Sequence, residues 1–391
     1  MRLGVNRSTV ASLVGDLAER GLVAEHAPRA RTTPGRPSPL VGPRRDGPVV
    51  VAAEISTDSL AVAVVTIGGR ILDVRRVAMS HEPGNAFEIA DRLVEIARPL
   101  VERRGPDTRI FGVGVSVPGV VRQEDGFVHV APNLQWRDVP LGQIVRDRLF
   151  FEAPVRVGND ANLATLAEHL RGAGAGHDDF ICLWGEAGLG AGIVVGGRQF
   201  TGSEGYAGEV GHLPVNPAGR QCRCGSRGCW ETEVGEVALL RDAGMDPADE
   251  ASTLDALFAR ADAGDPAALD AMATVGKWLG VGLAGLVSVF NPTMVALGGL
   301  YARLYPYVRP ALQSELAARV MPASRRALEI VPALLGPDSA LVGAAELAFA
   351  RIIADPTLVP VPAHAVPYRR HQPSPPDGLS EGGERAARPT M

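Results

Sequence analysis

The sequence predicts a mixed α/β fold of two lobes around a cleft, with a small basic head in front. Three observations support this. Short apolar runs alternate with helical patterns from Pro48 to about Asp355. A hairpin followed by a helical stretch occurs in each half of that region, which fits two facing lobes with a cleft between them. Residues 1–46 carry eight arginines against Asp16, Glu19, Glu25 and Asp46, a charge of +4, so the remainder carries −9 within a total of −5.

The 391 residues suffice for two or three domains, and 46% apolar residues are ample for their cores. A net charge of −5 gives no global pull toward nucleic acid, so any such contact rests on the head. No run approaches 18 uninterrupted apolar residues and no signal pattern opens the chain. A cytoplasmic protein without membrane contact is therefore expected. Lys277 is the only lysine, a bias that says little about chemistry.

The elements follow in order. In "NRSTVASLVGDLAERGLV", Val10, Leu13, Val14 and Leu17 recur at helical spacing, with Asn6 as N-cap and Gly21 after the end. Arg7, Ser8, Thr9 and Ser12 occupy the other face, the composition a recognition helix turns toward bases and phosphates, although an ordinary surface helix reads the same way. "RARTTPGRPSPL" is a loop or linker whose Arg36 could sit at the tip of a wing and enter a minor groove. "VVVAAEISTDSLAVAVV", Val49 to Val65, reads as a β-hairpin whose turn carries Glu54, Thr57 and Asp58. Strands are expected at 49–53, 60–66, 110–115, 155–157, 180–184, 192–195 and 294–297, and helices at 87–102, 161–170, 266–290 and 304–318. The domain division is a head and linker at 1–46, a first lobe at 47–160 closed by a helix at about 338–354, a second lobe at 161–337, and a tail at 355–391. That tail is rich in Pro, Arg, Ser and Gly and is expected to be disordered.

The strongest chemical signal is "GHLPVNPAGRQCRCGSRGCWE". His212, Cys222, Cys224 and Cys229 give His-x9-Cys-x-Cys-x4-Cys. One imidazole and three thiolates suit tetrahedral zinc, and four protein ligands leave no open position, so the ion is expected to be structural. Upstream, Gly188, Gly190 and Gly192 open a tight strand–turn–strand able to approach a phosphate. Glu209, His212 and Glu231 fall close to the metal loop, where carboxylates suit sugar hydroxyls, although solvated surface acids read the same way. "VGNDAN" puts Asn159 and Asp160 between a strand and a helix. Asp160 could cap that helix or act as a general base toward an alcohol. "APNLQW" offers the Asn133 amide to another hydroxyl.

Taken together, "SVPGVV", "APNLQW", "GNDAN", "GLGAGIVVGGRQFTG", "AGEVGH", "CRCGSRGCWE", "NPTMVALGG" and "DSALVGAAELA" resemble, in order and spacing, the ROK family of repressors, open reading frames and sugar kinases. The resemblance covers about residues 1–355. It implies an actin/hexokinase-like (ribonuclease H-like) fold, with sugar bound in the cleft by Asn133, Asn159, Asp160, Glu209, His212 and Glu231. It also implies zinc on His212, Cys222, Cys224 and Cys229. In kinases of the family the counterpart of Asp160 is the base that activates the sugar hydroxyl.

Two departures separate the branches of that family. Where its kinases carry Asp-x-Gly-Gly-Thr in the first hairpin, this chain has Glu54, Ile55, Ser56, Thr57 and Asp58. Where they read Gly-Thr-Gly before the second glycine run, it has Glu186, Ala187 and Gly188. A carboxylate at about 4 Å from a phosphate oxygen costs on the order of 4 kcal/mol at an effective dielectric near 20, unless a metal or arginine offsets it. Loss of ATP binding with an intact sugar side is expected. Repressors of the family place a winged helix-turn-helix before the sugar domain, and "GVNRSTVASLVGDLAERGLV" and "GRPSPL" resemble its recognition helix and wing. The helices that normally precede that helix are missing from the sequence, so a misplaced start is expected. The resulting reading is a sugar-responsive DNA-binding regulator, a repressor acting as a homodimer or homotetramer. An ATP-dependent sugar kinase is the alternative.

Overall fold

The computed structural model describes residues 6–26, 40–79, 84–105, 108–186, 188–249 and 251–361. The first helix, α1 (Arg7–Glu19), forms where its periodicity places it. Asn6 is extended, and its side-chain oxygen accepts from the Thr9 amide at 2.8 Å, satisfying one of the free amides of the first turn. Gly21 takes φ +72°, a left-handed conformation that ends the helix. β1 (Val23–His26) and β2 (Leu40–Pro43) then pair antiparallel. Arg36 falls between them, outside the described residues.

The head is seated on the first lobe. Leu22 is buried in one cluster with Val50, Ala63, Phe349, Ile352 and Val359, and the Arg20 guanidinium donates to the Val359 carbonyl at 2.9 Å. This corrects the expected start of the disordered tail. Residues 355–361 are ordered, because Asp355 caps a 3-10 turn at Pro356–Leu358 and Val359 is an apolar plug against Leu22. The rest of the tail, 362–391, lies outside the described residues.

The first lobe contains β3 (Val49–Ile55), β4 (Ser59–Thr66), β5 (Ile71–Ala78), α2 (Ala86–Glu102), β6 (Ile110–Val117), β7 (Val120–Arg122), β8 (Phe127–Ala131), β9 (Trp136–Val139), α3 (Leu141–Arg146) and β10 (Val155–Asn159). The main sheet has the order β10-β6-β3-β4-β5. Side chains alternate between its faces. Val49, Val51, Ala53 and Ile55 pack with the residues of α2 and α3, and Val50 and Ala52 pack on the other side. Burying an aliphatic side chain of this size is worth about 1.5–3 kcal/mol, which explains the continuous apolar runs. Glu54 is also buried, within β3, so the expected placement of Glu54 in the hairpin turn is wrong. The strand runs on to the core residue Ile55, and Ser56 to Asp58 make the turn. The small sheet β7-β8-β9 lies beside the cleft.

The second lobe contains α4 (Asp160–Arg171), β11 (Phe180–Gly185), β12 (Leu189–Val195), β13 (Arg198–Gln199), α5 (Trp230–Val234), α6 (Glu236–Asp242), α7 (Leu254–Asp262), α8 (Pro266–Phe290), β14 (Met294–Gly299), α9 (Leu300–Arg319), α10 (Pro322–Arg325) and β15 (Glu329–Pro332). Its sheet order is β13-β12-β11-β14-β15. By length and composition α8 could cross a membrane; here Met272, Val275, Leu279, Leu283 and Val287 are buried with Tyr301, Leu304, Val308 and Leu312 of α9 in the lobe's core.

The lobes meet on α4 and the last helix, α11 (Ser339–Ala354). A Cβ on Gly343 would fall 1.9 Å from the Leu163 carbonyl oxygen, so the helices cross in near-backbone contact. Glu168, fully buried, accepts from the amides of Ala173, Leu334 and Leu335 and from the Ser339 hydroxyl at 2.7–3.1 Å. That one carboxylate ties the end of α4 to the start of α11.

Candidate functional site

The sugar-side candidates converge. Asn133, Asn159, Asp160, Glu209, His212 and Glu231 all line one cleft between the lobes, with a volume of about 660 Å³. Each is placed by an element end. Asn133 sits in a single 3-10 turn after β8. Asn159 ends β10 and caps α4, its side-chain oxygen accepting from the Asn162 amide at 3.0 Å. Asn159 thus takes the capping role open to Asp160, which is left as the first helical residue. One Asp160 oxygen accepts from the Ala161 amide and the Asn159 side-chain amide, both at 2.8 Å. Burial first, and then the charges of Glu186, Glu209 and Glu54, hold the Asp160 carboxyl well above its usual range.

The metal candidates also converge. One donor atom from each of His212, Cys222, Cys224 and Cys229 lies within 4.8 Å of the others. Cys222 Sγ is 3.7 Å from His212 Nδ1, and Cys224 Sγ is 3.6 Å from Cys229 Sγ. A tetrahedral ion with Zn–S near 2.3 Å needs donor separations of about 3.8 Å, so the set fits such an ion. Glu231 Oε1 is 3.0 Å from Cys222 Sγ, and Glu209 Oε2 is 3.9 Å from His212 Nε2. Both carboxylates thus stand beside this loop at the cleft.

At the other end stand the residues of the two hairpin turns. Thr57, Glu186, Gly188 and Gly190 line the cleft; Glu54 is buried behind it, and Asp58 is exposed at the turn. Arg76 of β5 donates to Glu54 at 2.9 Å and reaches Asp338 at 3.4 Å. Arg76 pulls the Glu54 carboxyl down, but burial outweighs it and pushes the group up to about 7. Glu186 accepts from Trp184 Nε1 at 2.8 Å and, across the cleft, from the Ser56 hydroxyl at 3.4 Å; burial raises its carboxyl as well. The glycine run has a packing role. A Cβ on Gly190 would meet Ala161 at 2.5 Å and one on Gly192 would meet Thr165 at 2.2 Å, so these glycines let α4 lie flat on β12. Gly188 remains at the cleft, where a Cβ would lie 3.0 Å from Glu231.

Three residues were missed from the sequence. Arg76 lies on a strand that was not expected. Arg223, inside the metal motif, donates to Asn133 at 3.3 Å and joins the metal loop to the first lobe; its place between two ligands was the available signal. Gln135 lines the cleft in a left-handed conformation, φ +56°, unusual for a residue with a side chain. In the head, Arg7, Ser8, Thr9 and Ser12 are exposed on α1, and the Ser8 and Thr9 hydroxyls both donate to Asn6. Leu13 is 56% exposed on the same helix.

A family model described as the ROK family matches residues 50–351. The chain belongs to the ROK family. It is 29% identical to a xylose repressor of Bacillus spizizenii over 343 residues, covering 87% of each chain. It is 31% identical to a glucokinase of Streptomyces coelicolor over 317 residues, covering 77% of this chain and 97% of the enzyme. A solved ROK family transcriptional regulator, a homolog of the E. coli MLC protein, superposes with a TM-score of 0.74 at 25% identity, covering 88% of this chain and 89% of that one. These matches establish the two-lobed, kinase-like fold of the sugar domain.

Proposed function

We propose that this ROK protein is a sugar-responsive transcriptional repressor that binds an operator through its head and a sugar in its cleft. The carrying observation is the contrast between the two ends of the cleft. The sugar end keeps amides and carboxylates from both lobes, whereas Asp58 and Glu186 stand in the two turns that match the phosphate loops of the family's kinases. The reach of the comparisons supports the same reading. The repressor match spans 87% of this chain; the glucokinase match spans 77% of it while using 97% of the enzyme.

In this reading, zinc on His212, Cys222, Cys224 and Cys229 is structural and sets Glu209 and Glu231. Asn133, Asn159, Asp160, Glu209, Glu231 and the free edge of His212 hold sugar hydroxyls. α1 with β1 and β2 is the recognition helix and wing of a winged helix-turn-helix, and Arg7, Ser8, Thr9, Ser12 and Arg36 face DNA. The protein works in the cytoplasm as an even-numbered homo-oligomer, so that two helices meet half-sites about one helical turn apart. Lobe movement on sugar binding changes that spacing. Selection of genomic fragments by the zinc-loaded chain, followed by competition with sugars, tests this. A recovered site that one sugar displaces or strengthens supports it; no sequence-selective retention at low salt refutes the DNA role. The second reading, a sugar kinase, is favoured by Asp160 in its cleft position and by the glucokinase match.

A further inference from the structure

We propose that Tyr206 and His129 are positioning residues for sugar binding: the Tyr206 hydroxyl donates to His129 Nε2 when sugar draws the lobes together, and this bond holds the cleft closed. The proposal rests on the sugar-cleft reading above. The two residues come from opposite lobes. His129 lies on β8 of the first lobe, and Tyr206 lies in the 200–209 loop that follows β13 of the second. Their rings already meet edge to face, with centroids 5.4 Å apart and planes at 86°. Both segments border the cleft, which is lined by Val130 beside His129 and by Ala207 beside Tyr206.

The carrying observation is a pair of orphaned polar atoms. His129 Nε2 and the Tyr206 hydroxyl oxygen are both buried, and neither has a hydrogen-bond partner among the described residues. Buried polar atoms left unpaired are costly, and each such atom calls for an explanation. Here a donor and an acceptor face each other from two lobes, so a small approach removes both costs at once. Glu204, exposed on the same loop, stands near the Tyr206 hydroxyl without meeting hydrogen-bond geometry. Burial first, and then this carboxylate, raise the hydroxyl above its ordinary value, so it remains a donor.

A second observation concerns the imidazole. Asp138 stands opposite His129 on β9, between the Val128–Val139 and Val130–Arg137 pairs, with a carboxylate oxygen 3.9 Å from His129 Nδ1. Its φ is +52°, a left-handed conformation that a residue with a side chain holds only under constraint. A carboxylate on that side favours the proton on Nδ1, which leaves Nε2 of the neutral ring as an acceptor. Phe127 packs edge-on against the same imidazole at 5.0 Å, so two aromatic rings hold it.

The pair is tied to the site through the chain. Asn133 follows His129 in the turn after β8, and Glu209 ends the loop that carries Tyr206. Gly205, at φ +91°, brings that loop against the first lobe, where an added Cβ would lie 3.4 Å from the Val121 carbonyl oxygen. A sugar bridging Asn133 and Glu209 therefore draws the two orphaned atoms together, and their bond slows its release.

The test is calorimetric titration of the zinc-loaded full chain with D-glucose, D-galactose, D-mannose, D-xylose and N-acetyl-D-glucosamine. The tightest binder is then titrated into Tyr206→Phe, which loses one hydroxyl and keeps the ring. The expected affinity is about threefold to tenfold weaker, the net worth of one hydrogen bond. The thermal midpoint of the sugar-free protein stays unchanged, because the bond is absent there. His129→Phe shows a similar loss, and the double variant loses no more than either single one. Unchanged affinity in Tyr206→Phe overturns the proposal and leaves the cleft reading standing, as do losses that add in the double variant. A lowered sugar-free midpoint in Tyr206→Phe assigns the hydroxyl a structural role and overturns the proposal as well. No saturable binding of any of these sugars takes down the cleft reading and the proposal together.

Discussion

Replacing Glu54 by glutamine isolates the balance between burial and the Arg76 ion pair. Glu54 is 3% exposed, and its carboxyl is pushed from an ordinary 4.5 up to about 7. A carboxyl raised in the folded state contributes stability that is present below about pH 4.5 and is lost as the pH rises through about 7. A rise from 4.5 to about 7, at about 1.36 kcal/mol per pH unit, makes this loss about 3 kcal/mol. Glutamine keeps an acceptor for Arg76 but cannot ionise. The stability of Glu54→Gln relative to the parent should therefore rise by about 3 kcal/mol between about pH 4 and about pH 8. Urea unfolding followed by tryptophan fluorescence across that range reads the difference. Parallel pH profiles would refute the burial argument. A difference of opposite sign would mean that the Arg76 pair dominates and that Glu54 is charged throughout.

Three further outcomes are expected. Glu168→Ala strands four buried donors at the junction of α4 and α11 and should cost at least about 3 kcal/mol in urea unfolding; a loss below about 1 would remove Glu168 as the junction's tie. Gly343→Ala forces a Cβ to within 1.9 Å of the Leu163 carbonyl and should destabilise by about 1–3 kcal/mol or more, whereas an unchanged denaturation midpoint would mean that α11 moves freely on α4. Cys222→Ala should reduce the zinc content measured by atomic absorption well below one ion per chain and lower the thermal midpoint, because Cys222 is a buried member of the four-donor set; full zinc retention would exclude it as a ligand.

Strands buried on both faces were legible. β3, β4, β6, β11 and β14 each read as a continuous apolar run because both sides meet core. β5 was not legible, since Asp73, Arg75 and Arg76 break its pattern at a solvent-facing sheet edge. Its clue was Gly68-Gly69, both at positive φ, which turns β4 back on itself. Missing β5 also hid Arg76, the partner that lets Glu54 be buried. The metal loop was readable because ligand spacing is a local property. The glycine run was ambiguous for the opposite reason: close approach to a phosphate and close approach to a helix both demand a missing side chain, and only the positions of Ala161 and Thr165 decide it. Asn159 and Asp160 were placed correctly at a helix start, but which of the two caps it depends on backbone angles that sequence does not display.

The central claim is sugar sensing without phosphate transfer. Its most direct test is ATP consumption by the zinc-loaded full chain against a panel of hexoses, pentoses and hexosamines, with thermal stabilisation scored in the same samples. The account predicts that one sugar class raises the thermal midpoint while ATP is not consumed. ATP turnover dependent on any sugar would contradict it, and would mean that Glu54, Asp58 and Glu186 leave the phosphate end competent.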